Sequence, residues 1–366
     1  MSNTKTPTFF HDKPLFGLDI GHGSIKVMQL AEETDQAKAK AKDHKPRVIG
    51  YGFTVFDTDA QADGVIVQPE VIAKATFDLF RHHLIGDITA RRCALAIPAY
   101  RTFTRSMNLP KLKPRELAEA VNLEAEQYIS LPLEELYLDY SIIHQTDDST
   151  ELFLVAVPKV IVDSYLDLAQ ILGLETVLIE PTLSSSARLF GLDQQSDIAT
   201  LIIDFGSLSS DISIYDKNVL VTGTVQSGGY SFTNSIKKTL GVSLEEATSI
   251  KSRYGLGVSK RQAEIKRAIE PSLQQVVKEI HRMLRYYEER YGAKRPVGQI
   301  VASGGGANMP GLSDYLTNVL RIPSRHINPW QYLDYKGLQP PSDADKPMYA
   351  TVVGLSLTRS KEVFTL

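Results

Sequence analysis

The 366-residue chain contains one cysteine, Cys93. A single thiol excludes an internal disulfide and any metal site built from several cysteines. Its scarcity suits a reducing compartment. Cys93 opens the apolar run Cys93-Ala94-Leu95-Ala96-Ile97 and reads as a buried strand residue. Long hydrophobic runs are also missing: none approaches the ~20 residues needed to span a bilayer. The first fourteen residues are polar, unlike a signal peptide or an anchor. The expectation is a soluble protein in a reducing compartment, with any membrane association made through a partner. An excess of one charge is lacking as well. Lys and Arg number 40, Asp and Glu 43, and the net charge is −3. The bases are scattered, so nucleic acid is not an expected partner. The eight histidines show no metal-ligand spacing, and no Gly-Lys-Ser/Thr P-loop occurs.

What is present is a repeat. The apolar run Leu15-Phe16-Gly17-Leu18-Asp19-Ile20-Gly21 ends in Asp-x-Gly, and a return strand follows over Ser24 to Leu30. The same theme recurs at Thr200-Leu201-Ile202-Ile203-Asp204-Phe205-Gly206, with a return strand over Ser207 to Tyr215. An internal repeat at this distance implies two related α/β domains. Between the copies, strand and helix signals alternate over about residues 92 to 175, as in a small α+β insert. Its helix begins at Pro114 and places Leu117, Val121 and Tyr128 on one face. A long helix from Ile265 to about Tyr291 keeps Ile269, Leu273, Val276, Ile280, Leu284 and Tyr287 on one side. A buried strand, Gln299 to Ser303, runs into Gly304-Gly305-Gly306. A helix over Leu312 to Leu320 and a last one over Tyr349 to Thr358 complete the pattern. Glu32 to Arg47 is polar and fits a short solvated helix or a loop equally well.

Each Asp-x-Gly turn lets backbone N–H groups approach phosphate oxygens. In the first, Gly21 and Gly23 make the turn, Ser24 adds a hydroxyl and Lys26 a positive charge. In the second, Gly206 makes the turn and Ser207 and Ser209 supply hydroxyls. Asp19 and Asp204 would hold Mg²⁺, mostly through water, because Mg²⁺ gives up its hydration shell reluctantly. The two turns together are expected to clamp a triphosphate. Gly304, Gly305 and Gly306 leave bare backbone on which an adenine ring could lie. A Rossmann fingerprint does not fit, because the third glycine position is Lys26 and a strand follows.

These motifs resemble those of the actin/Hsp70/sugar-kinase superfamily. The resemblance places phosphate 1 at Asp19 to Lys26, phosphate 2 at Asp204 to Ser209 and adenosine at Ser303 to Ala307. Gly228-Gly229-Tyr230-Ser231-Phe232-Thr233 is similar to the superfamily's Gly-Gly-x-x-x-Thr entry to subdomain 2B. Lys251 stands where relatives have a lysine near the adenosine, although the acid usual three residues earlier is Thr248 here. Within the superfamily the insert looks like that of the PilM family of type IV pilus assembly, in the FtsA-like branch. The residues that carry this are Arg115-Glu116-Leu117, Glu124-Ala125-Glu126-Gln127-Tyr128-Ile129, Pro132-Leu133-Glu134-Glu135 and Leu138-Asp139-Tyr140.

The resemblance implies an actin-like, ribonuclease H-like two-lobed fold. Its expected parts are 1–91 (subdomain 1A), 92–175 (the 1C insert), 176–199 (return to 1A), 200–228 (2A), 229–292 (2B), 293–346 (2A again) and 347–366 (a C-terminal helix on 1A). It implies ATP and Mg²⁺ as ligands and a scaffold role in the pilus platform. It also implies a partner, the N-terminal cytoplasmic tail of a PilN-like one-span membrane protein, bound as an extended peptide between 1A and 1C. Self-association is a further possibility it raises. Turnover is expected to be slow at most, since phosphoryl transfer to water needs a residue that orients the water. Glu180, in Val177 to Thr182, is the acidic candidate for that catalytic task, and it equally suits the structural start of a helix. Two alternatives remain: an FtsA-like division protein, which calls for a C-terminal amphipathic helix not evident after Ser360, and a small-molecule kinase of the same superfamily.

Overall fold

A computed structural model describes residues 13–32, 45–192, 198–292 and 295–359. Most of the polar segment read as helix or loop, residues 33–44, lies outside them, as do residues 1–12. In chain order the strands and helices are β1 (Leu15–Gly21), β2 (Ser24–Leu30), β3 (Val48–Val55), β4 (Gln61–Ala62), β5 (Val65–Ile66), α1 (Pro69–His82), β6 (Leu84–Gly86), β7 (Arg92–Ile97), β8 (Phe103–Pro110), α2 (Pro114–Tyr128), β9 (Leu136–Gln145), β10 (Ser149–Pro158), α3 (Lys159–Ile171), β11 (Glu175–Pro181), α4 (Thr182–Phe190), β12 (Thr200–Phe205), β13 (Ser210–Asp216), β14 (Asn218–Val225), α5 (Gly229–Leu240), α6 (Leu244–Arg253), α7 (Gln262–Tyr291), β15 (Gln299–Ser303), α8 (Leu312–Leu320), β16 (Ser324–His326) and α9 (Ala350–Ser356). The final helix is shorter than the sequence pattern suggested, because Lys346–Tyr349 forms a 3₁₀ turn before it.

The chain forms two compact units. The first comprises Met1–Pro98, Ile161–Asp193 and Asn328–Leu366; the second comprises Ala99–Val160 and Gln194–Ile327. The first unit holds a sheet of order β11-β7-β1-β2-β3-β6. Strands β1, β2 and β3 run antiparallel, and β7 and β11 lie parallel to β1. The second unit holds a sheet of order β14-β13-β12-β15-β16. Its β12, β13 and β14 run antiparallel, and β15 and β16 lie parallel to β12. The two sheets share one topology, so the repeat read from Asp19 and Asp204 is a repeat of architecture. Purely apolar stretches such as Ile202-Ile203 and Cys93 to Ile97 form the central strands, which are buried on both faces.

In the first unit α9 crosses the sheet at close range. A Cβ on Gly17 of β1 would lie 2.7 Å from the Val352 carbonyl oxygen, and Gly354 meets the backbone of Ser185 in α4 still more closely. In the second unit α7 lays Ile265, Ile269, Leu273, Val276, Ile280, Met283 and Tyr287 into the core; of the face expected for the long helix, Leu284 alone is only partly buried. Pro271 sits within that helix.

The three-stranded sheet β8-β10-β9 also belongs to the second unit, with α2 covering one face through Leu117, Val121 and Ala125. Strand β7, where the insert was expected to begin, pairs with β1 and β11 in the first unit's sheet. Most of α3 belongs to the first unit too.

Candidate functional site

In the first unit, β1 and β2 close a tight hairpin. Asp19 is paired with Lys26 and Gly21 with Ser24. Directly opposed and alternate residues share a face, so Asp19, Gly21, Ser24 and Lys26 form one polar row. Asp19 and Lys26 are both buried. The Lys26 ammonium donates to the Asp19 carboxylate at 3.1 Å and to the Ser24 hydroxyl at 3.3 Å. A Cβ on Gly21 would approach that ammonium to 3.7 Å, so glycine keeps the space above it open.

Glu180 reaches the same level of the sheet. Asp19 and Glu180 are both register partners of Ala96, on either side of β7. Two inter-strand spacings separate their backbones by roughly 10 Å. The Glu180 carboxylate is already engaged. Arg188 donates to both of its oxygens, at 2.5 and 2.6 Å, and Ser185 donates at 2.8 Å. Arg188 also donates to the Gly354 carbonyl, which ties β11, α4 and α9 together.

In the second unit, Asp204 at the end of β12 lies opposite Ser303 at the end of parallel β15. The C-terminal edge of parallel strands is where α/β sheets present ligand sites. Gly304 has φ +83°, and any side chain there would strike the Asp204 carboxylate. Gly306 is held by a 2.9 Å bond from its N–H to the Phe205 carbonyl. A Cβ on Gly305, by contrast, meets nothing within 4 Å. The middle glycine therefore offers bare backbone to open space while its neighbours are locked onto β12.

The Gly228-Gly229 turn packs on the other side of the second hairpin. Gly229 and Tyr230 donate N–H groups to the carbonyls of Gly206 and Ser207, both at 2.9 Å. A Cβ on Gly228 would lie 2.5 Å from the Ser207 carbonyl oxygen, so only glycine fits there. Lys251 of α6 donates to the Gly229 carbonyl at 2.8 Å, and burial lowers its pKa from 10.5. Thr248, which replaces the expected acid, turns its hydroxyl back to the Leu244 carbonyl. The structure thus brings Asp204, Gly206, Ser207, Gly228, Gly229, Lys251, Gly304 and Gly306 into one connected cluster.

Ser209 points to a residue that the sequence reading passed over. Its hydroxyl donates to Asp211 at 3.2 Å, and the Thr224 hydroxyl donates to the other oxygen at 2.7 Å. Asp211 is the register partner of Asp204. Burial pushes its carboxyl up to about 6, against the opposing pull of the two hydroxyls. The signal was available: an acid opposite Asp204 across the hairpin, in the return strand Ser210–Asp216. Among the described residues no group of three or more His, Cys, Asp or Glu could hold a metal unaided.

A duplicated five-strand topology with polar hairpins at equivalent strand ends defines an actin-like protein. Comparison with known proteins narrows this. The model of the family "Type IV pilus assembly protein PilM" matches residues 17–360, and the chain belongs to that family. A solved PilM–PilN type IV pilus biogenesis complex is similar in fold, with TM-score 0.79 and 22% identity, covering 94% of this chain and 98% of that one. MreB5 of Spiroplasma citri bound to AMPPNP is similar at TM-score 0.51 and 14% identity, covering 97% of this chain and 96% of its own. Among curated proteins, cell division protein FtsA of Bacillus subtilis (strain 168) is 24% identical over 269 residues, 64% of this chain and 58% of its own. FtsA of Enterococcus faecalis (strain ATCC 700802 / V583) is 25% identical over 202 residues, 50% of this chain and 43% of its own. The chain thus spans about half the length of the curated relatives it matches. No helix among the described residues is long and apolar enough to cross a membrane.

Proposed function

We propose that this member of the PilM family is an ATP-binding scaffold of the type IV pilus assembly platform. In this reading it resides in the cytoplasm and reaches the membrane by binding the N-terminal tail of a PilN-like protein. The observation that carries the nucleotide reading is the glycine bend. Gly304 and Gly306 are fastened to β12 beside Asp204, while Gly305 faces open space. A loop so held can receive a flat ring without paying to order itself. The MreB5 relative was solved with AMPPNP, which supports a nucleotide on this fold.

The residues fit the group. Asp19, Gly21, Gly23, Ser24 and Lys26 would take phosphate oxygens and the waters of Mg²⁺ on the first hairpin. Asp204, Gly206, Ser207 and Ser209 would do so on the second. Gly304, Gly305 and Gly306 would support adenine, with Gly228, Gly229 and Lys251 beside them. Bound ATP supplies a phosphoanhydride; the protein's contribution is to bind and orient it. Glu180 holds α4 and α9 through Arg188 and serves structure. With the Glu180 carboxylate engaged by Arg188 and Ser185, this reading has slow turnover at most, and the nucleotide acts chiefly as a structural ligand.

The partner reading rests on family membership and on the solved PilM–PilN relative. One experiment tests both halves. Immobilised peptides from the N-termini of neighbouring one-span membrane proteins are challenged with the chain, with and without Mg–ATP. Capture by one peptide and measurable ATP binding by calorimetry are the expected results. Failure to bind any such peptide removes the scaffold reading, and failure to bind ATP removes the nucleotide reading.

A further inference from the structure

The loop between α6 and α7 presents the most exposed large apolar side chain among the described residues. Val258 is 98% exposed, whereas the next, Val55 and Leu123, reach 64%. The loop is braced from beneath. Leu256 is buried, and its N–H donates to the Pro310 carbonyl at 2.7 Å. The Gln262 side chain donates to the Leu256 carbonyl at 2.8 Å, and the Gly257 N–H to the Tyr254 carbonyl at 2.8 Å. Gly311 packs so closely that a Cβ there would lie 2.7 Å from the Leu256 carbonyl carbon. A lone exposed valine needs no explanation. The charges around this one give it a meaning.

Arg253 ends α6, Lys260 and Arg261 follow Val258, and Lys266 and Arg267 lie in the first two turns of α7. All five are exposed, and none of their side chains has an ion-pair or hydrogen-bond partner among the described residues. Elsewhere in the second unit arginines are paired: Arg282 with Glu279, and Arg295 with Asp216. Acids are few on the elements that meet at the loop. Glu264 stands in the first turn of α7, and Asp314 in the first turn of α8, close behind Gly311. Glu245 and Glu246 begin α6 at its far end, about 10 Å of helix from Arg253. Tyr254, 41% exposed, adds a ring with an apolar body and a polar tip.

The chain as a whole carries a net charge of −3, so any attraction to an anionic surface has to be local. We propose that the 254–261 loop docks on an anionic lipid surface, with Val258 and Tyr254 entering the headgroup layer and Arg253, Lys260 and Arg261 meeting its phosphates. The exposure of Val258 favours a bilayer over an acidic protein segment. A protruding valine needs a matching pocket on a protein, whereas lipid headgroups part around it. Interfacial binding adds apolar burial to the attraction of bases for anionic lipid. Each Lys or Arg near such a surface strengthens binding roughly fivefold. One valine and a few bases make a weak, salt-sensitive contact, effective as a second signal beside another membrane link. The contact goes beyond the function proposed above, in which a partner tail alone reaches the membrane.

The test is co-sedimentation of the full chain with vesicles of phosphatidylcholine, alone or with about 30% phosphatidylglycerol. Neither ATP nor a partner peptide is added, so the outcome does not depend on the scaffold reading. Binding to the anionic vesicles only is expected, and it should fade as salt rises from about 0.1 to about 0.5 M. Lys260→Glu combined with Arg261→Glu should weaken it about tenfold or more. Lys237→Glu combined with Lys238→Glu makes the same charge change in the last turn of α5 and should stay within about twofold of wild type. All four positions are exposed, so the fold is not at risk. Val258→Trp should bind more tightly, and its emission should shift to the blue on anionic vesicles. The chain's one native tryptophan, Trp330, is already buried and adds no such shift. No binding, equal binding to neutral vesicles, equal losses in the two charge-reversed variants, or an unshifted emission would each overturn the proposal. Binding of soluble polyglutamate but not of vesicles would assign the loop to an acidic protein segment instead.

Discussion

Gly304 sits so close to Asp204 that a single added methyl group would collide with the aspartate carboxylate. The same methyl would come within 2.7 Å of the Phe205 carbonyl oxygen and would have to tolerate φ +83°. Gly304→Ala should therefore cost about 1–3 kcal/mol of stability from backbone strain alone, read as a lowered urea midpoint. Gly305→Ala should stay within about 0.5 kcal/mol of wild type, because its Cβ meets nothing. A bulky Gly305→Leu should leave the fold intact and abolish ATP binding. Retained affinity in Gly305→Leu would mean that the ring binds elsewhere.

That contrast between adjacent glycines was not legible in the sequence, where Gly304-Gly305-Gly306 are three equal letters. The fold was legible because its signals are local and repeated: Asp19 and Asp204 each end an apolar strand, and a return strand follows each. Strand β15 and helix α8 also matched their sequence patterns, since Gly304 and Pro310-Gly311 mark their ends. Helix α6 was not read, because it buries little beyond Ala247 and Ile250 and shows almost no apolar periodicity. Strand β14 was hidden by Gly223, which exists to admit Glu279 and Met283 of α7 against the sheet. The surroundings of Glu180 were illegible for another reason. Its partner Arg188 lies on the next helix, and only the fold turns that helix back onto the carboxylate.

Glu180→Gln separates the two tasks weighed for this residue. The Glu180 carboxylate is nearly buried and Arg188 is about one-third exposed, at 10% and 30% of their side chains. Breaking a fully buried pair costs 3–5 kcal/mol; partial exposure of the arginine lowers the expectation to about 1–3 kcal/mol. A structural role predicts this loss in a denaturant titration, with ATP turnover per folded molecule unchanged. A turnover falling a hundredfold at unchanged stability would make Glu180 the water-orienting group.

Glu175 gives a pH signature. Arg92 is buried, and its guanidinium donates twice to Glu175, at 3.0 and 3.2 Å. The Arg92 hydrogen bonds pull the Glu175 pKa below 4.5, chiefly against the cost of burial. A carboxylate with a depressed folded pKa adds stability that is present above its unfolded pKa and fades as pH falls through the folded one. Wild type should thus exceed Glu175→Gln in stability at pH 7, and the gap should close below about pH 4.5. The glutamate is about half exposed (55% of its side chain), so screening keeps the gap small, about 1 kcal/mol or less. A gap that stays constant from pH 7 to 3 would show that the pair is not the cause.

Ser106 and Leu220 join the three-stranded sheet to the larger sheet of the second unit. In β14, Val219 pairs with Tyr215 and Val221 with Ile214, so Leu220 is an extra residue at a bulge. A bulge leaves backbone groups without a ladder partner. The Ser106 hydroxyl, buried on β8, donates to the Leu220 carbonyl at 2.7 Å, and Thr104 meets Thr222 nearby. Tyr291 reinforces the contact by donating to Glu151 at 3.0 Å. Ser106→Ala leaves the Leu220 carbonyl buried and unsatisfied, which costs about 1–3 kcal/mol. Hydrogen exchange should quicken in β8 and β14 together, with β1 and β2 unaffected, because the hydroxyl serves only the second unit. Tyr291→Phe should add to that loss less than its own cost, since both side chains hold one seam. Fully additive losses, or faster exchange spread evenly over both units, would show that the bulge is satisfied by other means.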